Sequence, residues 1–212
     1  ITIIDGFDRF IKDGLWKYSG YGQFKYSISR YIFNFGIRYD KVKYNSTSRF
    51  SPRFGFKIIL SPLTKINFAL GKFFQTPKYW ILMNPGNPYP LKNSYTDQAV
   101  LGFEHLFSDD MRGTIELYSK KYFNRPIQIS DITEDSLDAF LGFLDIGAGR
   151  AKGVELFLQK KFSYKWYGTL SYSYSRSEAK DYRNGLEGYY PWDYDFIHGF
   201  TLVGGYKINF KD

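Results

Sequence analysis

The feature that most constrains this chain is a period of two. From Trp166 to Glu178, Trp166, Gly168, Leu170, Tyr172, Tyr174 and Arg176 alternate with Tyr167, Thr169, Ser171, Ser173, Ser175 and Ser177. Successive side chains of a strand point to opposite faces, so this segment is a strand with one aromatic and one hydroxylic face. The pattern recurs. Tyr31, Phe33, Phe35, Ile37 and Tyr39 oppose Asn34, Gly36, Arg38 and Asp40. Phe54, Phe56, Ile58 and Leu60 oppose Arg53, Gly55 and Lys57. Ile66, Phe68 and Leu70 oppose Asn67, Ala69 and Gly71. Val154, Leu156 and Leu158 oppose Glu155, Phe157 and Gln159. Phe200, Leu202, Tyr206, Ile208 and Phe210 oppose Thr201, Lys207 and Asn209. Weaker versions run over 18–28, 96–107 and 112–124. The reading is about nine strands of roughly ten residues, with no convincing amphipathic helix.

The connections alternate in length. Short ones fall at 29–30, 61–64, 108–110 and 163–165, with Ser, Pro and Asp as turn formers. Long ones fall at about 76–95, 125–148 and 179–197, and a shorter example at 44–50. Short turns at one end and long loops at the other are the mark of an up-and-down transmembrane β-barrel. A strand tilted through a bilayer needs about 9–11 residues, whereas soluble strands average about 5–6. Backbone groups in lipid must all be paired, so a spanning sheet must close. Phe, Tyr, Leu and Ile then face acyl chains, with aromatics as girdles, and Ser, Thr, Asn, Gly, Arg and Glu face a wet lumen. A soluble all-β sandwich alternates too, with the apolar face as its core. Strand length, the 21% aromatic content and the loop asymmetry favour the barrel.

Other classes fall away. The chain has no Cys, which excludes disulfide scaffolds, thiolate metal sites and thiol nucleophiles. No apolar run reaches about 18 residues, so no transmembrane helix is expected. The net charge of +8 is scattered, with nothing longer than pairs such as Lys120-Lys121 and Lys160-Lys161, so no nucleic-acid partner is expected. With two His and no Ser-His-Asp order, catalysis is unsupported, and His105 has no partner nearby in sequence.

Candidate sites lie mostly in loops. Tyr79, Trp80, Tyr89 and Tyr95 crowd one long loop, and Tyr189, Tyr190, Trp192 and Tyr194 another. Rings offer large contact area at low entropy cost and could grip a ligand at the mouth. The same rings could equally form an interfacial belt. Arg38, Arg53 and Lys57, facing the lumen, could steer an anionic ligand, or pair within the wall with Asp40 or Glu155. Asp193, Asp195 and His198 have metal-compatible spacing but read better as capping and interfacial groups, so no metal is expected. The run 147–153, Gly-Ala-Gly-Arg-Ala-Lys-Gly, enters a strand and not a helix, which argues against a phosphate loop. Asp131, Glu134, Asp135 and Asp138 form an acidic loop, read as solvated.

Six motifs, in order, resemble the barrel of TonB-dependent outer-membrane receptors. They are Phe35-Gly36-Ile37-Arg38-Tyr39-Asp40; Ser51-Pro52-Arg53-Phe54-Gly55; Phe73-Phe74-Gln75-Thr76-Pro77; Leu101-Gly102-Phe103-Glu104-His105; Ala151-Lys152-Gly153-Val154-Glu155-Leu156; and Pro191 to His198. Together they span about residues 20–210. Asn87-Pro88-Tyr89-Pro90-Leu91-Lys92 stands where the family carries a longer acidic motif, and lacks its Pro-Glu. The resemblance implies that residues 1–212 are the middle-to-late part of a barrel of about 22 strands. No plug domain is recognisable in the chain, and an interior fragment is expected, its open edges completed by more barrel or by other copies. It further implies location in the bacterial outer membrane among its lipids. Capture of a scarce nutrient such as a ferric siderophore by extracellular loops is implied too, with active passage through the lumen driven by the TonB complex acting on the missing plug. No cofactor is implied. A plugless porin or diffusion channel is the alternative.

Overall fold

The computed structural model describes residues 16–43, 47–129, 142–180 and 188–209. They form one antiparallel sheet of ten strands. These are β1 (Lys17–Ile28), β2 (Tyr31–Val42), β3 (Thr47–Ser61), β4 (Thr64–Gln75), β5 (Ser94–Ser108), β6 (Met111–Gln128), β7 (Phe143–Ser163), β8 (Trp166–Lys180), β9 (Tyr190–Pro191) and β10 (His198–Tyr206). Sheet order follows chain order from β1 to β8, then β10, with the short β9 also on β8. Nine long strands in an up-and-down meander match the reading from periodicity. One helical turn, α1 (Tyr79–Leu82), stands in the loop after β4.

The alternation holds across the ladder. One row of partners reads Phe33–Phe56–Phe68–Leu101–Leu117–Val154–Tyr174. The opposite face carries the Ser and Thr of β8, with Asn34, Asn67 and Gln98 on β2, β4 and β5. Among the described residues only six apolar side chains are buried, while Phe24, Phe35, Leu101, Leu117, Phe200 and Leu202 are exposed. Among the described residues no second layer covers the aromatic face, which a sandwich would bury as its core.

The sheet is sheared as a barrel wall must be. Tyr31, beside the first short turn, pairs with Ile58, and β3 runs three residues further, to Ser61. Thr64 pairs with His105, and β5 runs three further, to Ser108. Met111 pairs with Lys160, and β7 runs three further, to Ser163. A register shift precedes each of these later turns, between Ile59 and Ser61, Leu106 and Ser108, and Lys160 and Ser163. Bulges of this kind collect at barrel rims. The apolar band slants the same way. The row Phe24–Phe35–Phe54–Leu70–Ala99 is apolar, then continues as Ser119–Lys152–Arg176. A bilayer plane cutting tilted strands produces that oblique boundary.

The strands outrun a bilayer: β6 has 18 residues and β7 has 21. Both ends of the expected loop 125–148, residues 125–128 and 143–148, are therefore strand, and Gly147–Gly153 lies wholly within β7. Alternation hid this because Pro126 and two register shifts, at Tyr122/Arg125 and Arg125/Ile127, reset the faces. The acidic residues Asp131, Glu134, Asp135 and Asp138 lie outside the described residues, as does Phe210.

Candidate ligand-binding site

At the long-loop end, residues 76–93 fold into a docked cap. Pro77 starts it, one helical turn follows, and Asn84, Pro85 and Gly86 reverse the chain. Leu82, Leu91 and Phe143 form a small buried core, joined by Ile81 and Met83. Asn87 is the hub. Its Nδ2 donates to the carbonyls of Ile81 (2.7 Å) and Leu82 (3.2 Å), and its Oδ1 accepts from the Phe143 amide (2.7 Å). Asp145, buried on β7, accepts from Tyr89 Oη (3.1 Å) and the Lys92 amide (2.8 Å). Burial, then the adjacent Asp145 charge, pushes the Tyr89 hydroxyl pKa up, so this phenol stays protonated and donating. Tyr79 and Trp80 stand outside the core, 61% and 62% exposed, with Trp80 edge-on to Phe143 at 5.5 Å.

A second segment, 188–198, docks on the other side of the same strand end. Trp192 donates its amide to the Ser177 carbonyl (3.0 Å), and its ring meets Arg125 at 5.7 Å. Tyr190 pairs with Ala179 in β9. The Arg150 guanidinium lies 4.3 Å from the Tyr189 ring. Tyr194 is 71% exposed, edge-on to Trp192. A cleft of about 200 Å³ is lined by Tyr122, Arg125, Gly147, Gly149, Lys180 and Trp192. The first residues of β7 thus carry the cap at Phe143 and Asp145, while the second segment is bonded to the end of β8 and shares a cleft with Gly147 and Gly149.

Of the eight ring residues read from sequence, seven sit in these segments. Tyr95 does not. It lies on β5, on the aromatic face, its ring 4.7 Å from Phe123 and 5.4 Å from Phe74, with the Lys72 ammonium at 4.3 Å. The strand begins at Ser94, which is why a loop reaching 95 is one residue pair too long. Tyr95 is girdle, not loop.

Asp195 and His198 do not converge. Asp195 accepts from the Ser177 amide (2.6 Å) and pairs with Arg176 (3.3 Å), capping the end of β8. His198 bonds Tyr172 Oη through Nδ1 (2.9 Å) and lies against Tyr174. His105 finds its partner across the ladder, with Nδ1 2.9 Å from Thr64 Oγ1.

Arg38, Arg53 and Lys57 share the polar face. Arg38 grips Asp40 with two bonds, at 2.8 and 3.0 Å, and Lys17 adds a third charge at 3.6 Å. Arg53 is in no ion pair among the described residues; it lies 4.6 Å over the Phe73 ring. Lys57 faces Ile32 and Asn67 across the ladder. Glu155 sits opposite Glu116 on β6, strands away from these cations. A hollow of about 500 Å³ runs along this face past Gln23, Asn34, Arg38, Arg53, Phe73 and Gln98.

Asn87, Asp145 and Arg125 are the positions that sequence reading missed. Asn87, between Gly86 and Pro88, was legible as a turn former; Asp145 and Arg125 carry no local signal, since their partners are distant in sequence.

A sheared, up-and-down wall with long, aromatic loops at one rim can be compared directly with known proteins. The family model described as TonB-dependent receptor-like, β-barrel, matches residues 3–209. The chain belongs to the TonB-dependent receptor family. That family is one of bacterial outer-membrane receptors and not an enzyme class. Among solved structures, the chain resembles the ferric-catecholate import receptor Fiu of E. coli, with a TM-score of 0.72 and 16% identity over 92% of this chain and 32% of that one. It resembles the ferripyoverdine receptor of Pseudomonas aeruginosa, with a TM-score of 0.71 and 12% identity over 92% and 26%. The alcaligin receptor FauA of Bordetella pertussis gives 0.67 and 12% over 92% and 35%. This chain therefore spans about a quarter to a third of those receptors' length. At such identities the likeness speaks to the fold alone. No curated protein sequence matches.

Proposed function

We propose that this TonB-dependent receptor wall belongs to an active importer of a scarce nutrient of the ferric-siderophore type. The ligand is captured at the mouth by the segments 76–93 and 188–197 and then passed along the polar face. The observation that carries this reading is the pair of ring-bearing segments docked on either side of the start of β7. They hold Trp192 beside the Arg125 cation and Tyr189 beside Arg150, with Tyr79 and Trp80 exposed on the cap. Rings and guanidinium groups side by side suit an anionic, aromatic chelate. The structures that resemble the chain are named for ferripyoverdine, ferric catecholate and alcaligin, which supports the same class. Transport itself is assigned to the TonB complex acting through a plug elsewhere in the receptor, and the chain's own residues perform no covalent chemistry.

The test is exchange of 76–93 and 179–197, singly and together, in the full receptor with those of a receptor of known ligand. Binding and TonB-dependent uptake of iron chelates are then measured. Altered ligand preference is expected. Unchanged preference after both exchanges removes these loops from the site. Solute flux that persists without TonB would instead mark a diffusion channel.

A further inference from the structure

One row of ladder partners on the polar face runs downhill from the mouth. From β8 to β3 it reads Ser177, Ala151, Lys120, Gln98, Gly71 and Arg53. Ser177 stands at the mouth. Its carbonyl accepts from the Trp192 amide, and its neighbours on the other face of β8 are the charged Arg176 and Glu178. Arg53 stands at membrane depth, because its neighbours on the other face of β3 are Pro52 and Phe54, in the apolar band. Barrel strands are tilted, so a row perpendicular to them descends as it crosses the wall. Five strand spacings of about 4.8 Å make this descent about 24 Å of sheet.

At its lower end the row enters the hollow of about 500 Å³, a volume in the range of small-molecule sites. Gly36, Gly55 and Gly71 leave its floor bare of side chains. A Cβ at Gly71 would lie 2.7 Å from the Phe73 ring, so only glycine makes room for that ring, which in turn holds the Arg53 guanidinium at 4.6 Å. Gln23, Asn34 and Gln98 add neutral amides. Arg53 and Lys120 have no carboxylate within ion-pair distance among the described residues. The carboxylates of this face are engaged or lower down. Arg38 and Lys17 hold Asp40, Lys65 holds Glu104, and Glu116 faces Glu155 two polar-face rows below Lys120. Two cations and three amides around a bare floor are donors awaiting an acceptor-rich anion.

We propose that this hollow is a second, lower station for an anionic ligand, which leaves the mouth beside Ser177, passes Lys120 and is held at Arg53. The inference rests on the reading of the chain as the wall of an importer. It adds where the ligand rests after capture and which charge it carries there.

The experiment uses the full receptor in cells with an active TonB complex. A single fluorophore-bearing cysteine is placed either at the mouth, by Tyr79→Cys on the cap, or at the lower edge of the hollow, by Asn67→Cys beside Lys57. The probes are ferric tris-catecholate, triply negative, and a neutral ferric tris-hydroxamate, whose iron quenches a nearby fluorophore. The anionic chelate should quench both labels, and the neutral one should leave the label at 67 bright. Arg53→Gln and Lys120→Gln should each raise the concentration for half-quenching at 67 about tenfold, the worth of one charge-assisted hydrogen bond, and leave that at 79 unchanged. Lys161→Gln, at the short-turn end, is the control and should change neither. A silent label at 67 beside a quenched one at 79, as a plug lodged permanently over the hollow would give, overturns the station. So does undiminished quenching at 67 in the double variant, or equal quenching there by the neutral chelate. All three leave the mouth reading intact. Silence at both labels with both chelates strikes the mouth reading first, and the station falls with it.

Discussion

Asn87→Ala should release the cap formed by 76–93 without unfolding the wall. The side chain makes three hydrogen bonds, two donated to Ile81 and Leu82 carbonyls and one accepted from the Phe143 amide. Each is worth about 0.5–1.5 kcal/mol net. Three together give about 1.5–4.5 kcal/mol, centred near 3. The lost partners sit around Leu82 and Leu91, which are 1% and 0% exposed, so water does not readily replace them. A local free energy lowered by about 3 kcal/mol corresponds to a roughly hundredfold rise in opening. Hydrogen exchange at the amides of Leu82 and Met83, which bond to the Lys78 and Tyr79 carbonyls, reads this directly. Exchange there should accelerate by about ten- to a thousandfold, while amides in the centre of β5 keep their protection. Unchanged exchange at Leu82 and Met83 would refute the claim that Asn87 holds the cap. Equal acceleration in β5 would show that the substitution acts globally.

Other outcomes follow from single sites. In the turn between β5 and β6, Asp110 accepts from Lys160 Nζ (2.5 Å), Ser108 (2.5 Å) and Ser163. Those bonds, the lysine's first, hold its carboxyl pKa far below the ordinary 3.8. A depressed folded value means that the stabilisation is fully present above the unfolded value and is lost as pH falls through the folded one. Asp110→Asn should therefore lower the urea midpoint of the reconstituted receptor at neutral pH, with the deficit shrinking below about pH 4; a pH-independent deficit would contradict this. At Gly153 a Cβ would lie 2.5 Å from the Tyr174 carbonyl oxygen and 2.7 Å from Tyr118 Oη. Gly153→Ala should cost about 1–3 kcal/mol, seen as a lowered melting temperature of the folded band on unheated gels, and an unchanged melting profile would show the wall yielding there.

The wall was legible in the sequence because a period of two is a local property. Each strand from β2 to β5 shows its two faces within ten residues, and the pairings follow once the short turns are placed. What failed was the far end of β6 and β7. There Pro126 and two register shifts swap the faces, so alternation stops although pairing continues. The same cause moved 143–148 from loop to strand, whereas Tyr95 was misplaced only because β5 begins at Ser94. The candidate site was half legible: ring-rich loops announce themselves by composition, whereas Asp145 meets Lys92 and Tyr89 across more than fifty residues of chain. That Lys121 faces Arg150 and Lys152 faces Arg176 could not be read before register was known.

The central claim is that rings and aliphatic side chains on one face of this sheet meet lipid while the opposite face meets water. The absence of Cys makes the test direct. Single cysteines at Thr169, Leu170, Ser171, Tyr172, Ser173 and Tyr174 of β8, in the full receptor in bilayers, would each carry a fluorophore quenched by bromine on lipid acyl chains. Strong quenching at 170, 172 and 174, and weak quenching at 169, 171 and 173, is the predicted result. Quenching in the opposite phase, or equal at all six positions, would contradict the account.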